Sequence, residues 1–158
     1  MADRVLNTYL NDHIAGSVAA LELLDHLISR HEADRGLLTE LRRQIEEDQQ
    51  ILMRLLQDLG GKESVVRKAA AWLTEKLGQA KLLIDDSGSG ELRTLEALEA
   101  LALGIQGKLA LWRALASVQD VIPQLASLDQ ARLQSRALDQ FNQAERLRLE
   151  AARRALRT

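Results

Sequence analysis

Cysteine is absent from this 158-residue chain, so disulfide frameworks, thiolate nucleophiles and cysteine-based zinc or iron–sulfur sites are excluded. Proline, phenylalanine and tyrosine occur once each. The chain is built instead from Leu, Ala, Arg, Glu and Gln, a helix-forming composition that argues against a sizeable sheet. Neither charge sign dominates, with 21 basic residues against 23 acidic ones, and nothing in that balance recommends a nucleic acid or a membrane surface as partner. One local bias exists, in Arg146, Arg148, Arg153, Arg154 and Arg157. No run of about 18 apolar residues could span a bilayer. The opening Met1-Ala2-Asp3-Arg4-Val5-Leu6 also lacks the basic flank and apolar stretch of a signal peptide, so a soluble cytoplasmic protein is expected. Gly-x-Gly spacing is confined to Gly88-Ser89-Gly90, without the flanking strand of a phosphate loop, and no local signature ties Ser, His and Asp into a triad.

What is present is a hydrophobic content of 46% in a length suited to one domain, residues 1–158, with a substantial core. Punctuation divides it into five helical segments. The first runs from about Asp3 to His31 and breaks at Glu32-Ala33-Asp34-Arg35-Gly36, where Asp34 can cap the second. The second spans roughly Gly36 to Leu59 and is stopped by Gly60-Gly61. A shorter third segment, about Ser64 to Ile84, is amphipathic through Val66, Ala69, Leu73, Leu77, Ala80 and Ile84. The acidic Ser/Gly stretch Asp85 to Gly90 then reads as a flexible linker. A fourth segment extends from Glu91 to about Val118, and Ser127-Leu128-Asp129-Gln130, with capping-box spacing, opens a fifth that ends near Leu156. The four long segments have roughly 24 to 29 residues, or about 35 to 45 Å of helix. Matched lengths make an all-α antiparallel four-helix bundle, with the shorter helix carrying the chain between the second and third long ones. The fourth segment has leucines on every side (Leu92, Leu95, Leu98, Leu101, Leu103, Leu109, Leu111, Leu115) and should be contacted on several faces, by its bundle neighbours and by either the third segment or a second subunit of a homo-oligomer.

Charges within these apolar patterns are the candidate functional residues, because a buried charge is costly unless it meets a partner or a metal. In the second segment Leu38, Leu41, Ile45, Asp48, Leu52, Leu55 and Leu59 form an i, i+3, i+7 seam that places Asp48 at a core position. The fifth centres its apolar face on Leu138, Phe141, Glu145, Leu149 and Ala152, and Arg148 falls on the same side. The fourth offers Glu99, Gln106 and Arg113 along the margin of its Leu95/Ala102/Leu109 face. The first offers His13 and Ser17 among Leu6, Leu10, Ala20, Leu24 and Leu27, while Trp72 and Trp112 read as packing residues and His26 and His31 as solvated or helix-end ones. His13, Asp48, Glu99, Gln106, Arg113, Glu145 and Arg148 are therefore expected to form a buried polar network, with Arg148 neutralising Asp48 and Glu145.

Four long helices with a crossover and inward carboxylates resemble the ferritin-like superfamily of ferritin, bacterioferritin and rubrerythrin. In those bundles Glu-x-x-His motifs on the second and last helices help hold a di-metal centre. The corresponding stretches here are Asp48-Gln49-Gln50-Ile51, which keeps a carboxylate and loses the imidazole, and Glu145-Arg146-Leu147-Arg148, which keeps the Glu and substitutes a cation. Glu99 maps to the carboxylate of the third helix, and His13 is the inward residue of the first. The resemblance implies a bundle with a degenerate metal site, without a cofactor, serving a non-enzymatic structural or interaction role. Its alternative is an iron- or manganese-binding oxidative or storage protein using His13, Asp48, Glu99 and Glu145 as a reduced ligand set.

Overall fold

In the computed structural model, which describes residues 2–62 and 90–157, four long helices carry the chain: α1 (Ala2–Arg30), α2 (Arg35–Asp58), α3 (Glu91–Ala116) and α4 (Gln130–Ala155). Among the described residues there is no strand, and no helix is long and apolar enough to cross a membrane. The expected third segment, Ser64 to Ile84, and most of the 85–90 linker lie outside the described residues.

Helix ends follow the local chemistry. Gly60, at φ 71°, donates to the Gln57 carbonyl at 2.9 Å and Gly61 to the Leu56 carbonyl at 2.8 Å, the paired bonds with which a left-handed glycine closes a helix. Asp34 occupies the position before α2 without a side-chain bond to it. At α4 the cap is Asp129, whose carboxylate accepts from the Arg132 amide at 3.1 Å, in place of the capping box expected from Ser127. A 3₁₀ turn at Pro123–Leu125 leads into that cap and buries Leu125.

Side-chain pairings fix the directions. Asp25 meets Arg42 and Ser17 meets Gln49, so α1 and α2 are antiparallel. His31 meets Thr94, so α3 starts beside the end of α1 and runs against it. Arg154 meets Glu91 and Arg148 meets Glu99, so α4 runs against α3. It follows that α2 and α3 are parallel, and that the end of α2 and the start of α3 lie at opposite ends of the bundle.

The apolar interior falls into two clusters stacked along the bundle. One joins Leu24, Leu27, Leu41, Ile45, Leu98, Leu101, Ala144 and Leu147. The other joins Leu10, Ile14, Leu52, Leu56, Leu111, Trp112, Leu133 and Ala137. The register of α4 differs from the sequence expectation: its buried seam is Leu133, Ala137, Gln140, Ala144, Leu147 and Ala151. Leu138 and Leu149 are 47% and 48% exposed. Alanines at every second seam position let α3 and α4 pack closely, and that close approach outweighs the larger apolar area of the Leu138/Phe141/Leu149 face.

Candidate functional site

Asp48 is buried, as its seam predicts, and it stands at the boundary between the two apolar clusters. Its partners are two cations the sequence did not single out. Lys108 of α3 donates to Oδ2 at 2.6 Å, and a guanidinium nitrogen of Arg136 of α4 donates to Oδ1. Gln140 completes the cluster: its Oε1 accepts from Lys108 Nζ and its Nε2 donates to Gln44 Oε1 at 3.1 Å and to Asp48 Oδ2 at 3.4 Å. The carboxylate side chain keeps 3% of its accessibility and that of Lys108 12%. Burial pushes the Lys108 ammonium below the ordinary lysine range, against the pull of Asp48.

This interior cluster is wired to the surface of α2. Arg136 also donates to Glu47 Oε2 at 3.0 Å, Arg43 bridges Glu47 and Glu40, and Gln44 donates to Glu40 Oε1 at 2.8 Å. Because Gln44 in turn receives Gln140, the bonds close a ring through Asp48, Arg136, Glu47, Arg43, Glu40, Gln44 and Gln140. A closed ring fixes each amide and guanidinium plane, which holds Asp48 in one orientation.

The other expected members of the network lie elsewhere. Arg148 does not reach Asp48; it grips Glu145 at 2.6 and 2.7 Å and touches Glu99 at 3.5 Å on the half-exposed margin between α3 and α4. Arg148 holds the Glu145 carboxyl below the usual carboxylate range. Gln106 and Arg113 are exposed, because the buried stripe of α3 runs through Leu101, Ile105, Leu111 and Leu115 instead. His13 is half-buried, edge-on to Tyr9 with ring centroids 4.8 Å apart, and burial pushes its imidazole below the ordinary histidine range against the attraction of Asp12. Trp112 is fully buried, as a packing residue should be, while Trp72 lies outside the described residues. The surplus of arginine near the C-terminus is exposed except for Arg148, with Arg154 paired to Glu91.

Metal chemistry fits this arrangement poorly. Among the described residues no three His, Asp or Glu side chains converge in a way that could hold an ion. Both oxygens of Asp48 are taken by cationic donors, and Glu99 and Glu145 face Arg148. His13, Asp48, Glu99 and Glu145 are therefore not a ligand set.

His13 instead lines a cavity of about 200 Å³ between α1, α2 and α3, together with Ser17, Gln49, Asp48, Lys108 and the apolar Ile45, Leu52, Ile105 and Leu111. Gly16, Gly104 and Gly107 border the same space, and a Cβ on any of them would meet nothing within 4 Å. None has a positive φ, so neither conformation nor crowding calls for glycine there. No family model, curated protein or solved structure matches this chain.

Proposed function

We propose that this chain is a ferritin-like bundle in which an ion-pair cluster occupies the position of the di-metal centre, and that its role is structural or interaction-based rather than catalytic. The observation carrying this reading is the pairing of Asp48 with both Lys108 and Arg136, which supplies inside the bundle the positive charge a metal would otherwise bring. The parallel course of α2 and α3 supports the class as well, since a chain joining opposite ends of a bundle needs the long crossover of that fold. A polar layer between two apolar clusters also suits a structural role, because it penalises any sliding of the helices that would unpair a buried charge. Leu92 and Leu103 on α3, with Leu138 and Leu149 on α4, are exposed and favour association of copies of the chain.

Metal analysis after expression with added iron and manganese tests the reading. Substoichiometric metal, unchanged in Asp48→Ala, is the expected outcome. One or two equivalents of metal that vanish in Asp48→Ala would overturn it.

A further inference from the structure

We propose that the cavity between α1, α2 and α3 binds a small monoanion with a compact apolar body, such as an arene monocarboxylate, and that Lys108 receives its charge. This goes beyond the structural role above and stands or falls independently of the ferritin-like class.

Charge complementarity comes first. Inside the bundle one carboxylate, Asp48, is shared by two cations, Lys108 and Arg136, so it neutralises Lys108 only in part. Glu47 offsets Arg136 from a side chain that is 46% exposed, on the α2/α4 side and away from the cavity lining. The ammonium of Lys108 has three donors. Asp48 and Gln140 take two of them, and the third is available to a molecule in the cavity that Lys108 lines. Asp12, the other carboxylate on the lining, is exposed and screened by water. A cationic guest would meet two cations at the buried end, since Lys108 and Arg136 already hold the Asp48 oxygens.

Size and shape set the rest. A cavity of about 150 Å³ lined by apolar side chains accommodates benzene, so about 200 Å³ suits one ring with a carboxylate. The walls that would surround the ring are Ile45, Leu52, Ile105 and Leu111. Three glycines, Gly16, Gly104 and Gly107, lie along its border. Each lowers helix stability relative to alanine, and none puts a side chain across the border of the cavity.

Calorimetric titration of the full chain with benzoate, benzamide and benzylamine is the test. Benzoate should bind about tenfold or more tightly than benzamide, the contrast a charge-assisted hydrogen bond to a buried ammonium provides. Benzylamine should not bind. Gly107→Leu, at the border of the cavity where an added Cβ meets nothing within 4 Å, should abolish benzoate binding while the helical circular dichroism is retained, and Gly36→Leu, outside the cavity, should leave it intact. Lys108→Met should erase the preference for benzoate over benzamide; if that variant does not fold, the two Gly variants and the three probes decide. Equal binding of benzoate and benzamide, preference for benzylamine, no binding of benzoate at millimolar concentration, or full binding by Gly107→Leu would each overturn the proposal.

Discussion

Lys108 Nζ of α3 lies 2.6 Å from Asp48 Oδ2 of α2, a contact made across the interior between two parallel helices. Both groups have lost nearly all contact with water, so neither can be left without the other. Replacing Asp48 by Ala should cost about 3–5 kcal/mol, because Lys108 and Arg136 would remain as uncompensated charges. The triple change Asp48→Leu, Lys108→Met and Arg136→Met should recover most of that loss, since an apolar layer of similar volume needs no pairing. Arg148→Ala, at a pair whose side chains are 24% and 29% exposed, should cost at most about 1 kcal/mol. Urea denaturation of the variants separates these cases. A loss for Arg148→Ala equal to that of Asp48→Ala would contradict the placement of the two groups.

Acid should weaken the fold through His13 before it reaches the carboxylates. Its imidazole is held below the ordinary value of 6.5 by burial, so the unfolded chain takes up the proton first. The stability this provides is full above 6.5 and is lost as pH falls through the lower folded value. Glu40, whose carboxyl is held down to about 2 by Arg43 and Gln44, stabilises fully above 4.5 and loses that contribution only as pH falls below it. Unfolding midpoints between pH 7.5 and 5 should therefore fall more for the wild type than for His13→Gln, and parallel slopes would refute the assignment.

The glycines divide into two groups with opposite expectations. Gly16→Ala, Gly104→Ala and Gly107→Ala should each stabilise the protein by about 0.4–1 kcal/mol, because helical φ is already adopted and the new methyl meets nothing. At Gly61 a Cβ would press on the Leu56 side chain and lie 3.0 Å from the Leu56 carbonyl oxygen, so Gly61→Ala should destabilise. Gly60→Ala should too, its φ of 71° being unfavourable for a residue with a side chain. Thermal melts of the five variants give the signs directly.

Asp48 was legible because six large apolar residues flank it at helical spacing on one seam, five of which are buried with it. Its partners were not. Lys108 continues the stripe from Leu101 and Ile105 to Leu111, but leucines on all sides of α3 hide which stripe faces inward. Arg136 and Gln140 lie on or beside a seam built on Ala137, Ala144 and Ala151. Hydrophobic area points to Leu138, Phe141 and Leu149 instead, and draws Glu145 and Arg148 inward with them. The bundle itself was easier to read, since Gly60-Gly61, Asp129 and the absence of sheet formers act locally. Residue depth depends on how closely two helices approach, which small side chains decide and composition does not show.

The misplaced face bears on assembly. Leu138 and Leu149 are outward at 47% and 48%, and Leu103 of the neighbouring α3 is 63% exposed, leaving large apolar side chains on both helices of the tightest pair. Charged substitutions there should barely alter monomer stability, within about 0.5 kcal/mol, since no buried contact is broken. They should alter association if copies of the chain meet on that surface. Light scattering on the wild type is expected to give a mass above that of one 17.6 kDa chain. The double variant Leu103→Glu/Leu138→Glu should return the mass to one chain with its helical circular dichroism unchanged. A wild type that stays monomeric across the accessible concentration range would remove the surface from consideration as an interface, and would leave these leucines as isolated exposed residues of an ordinary kind.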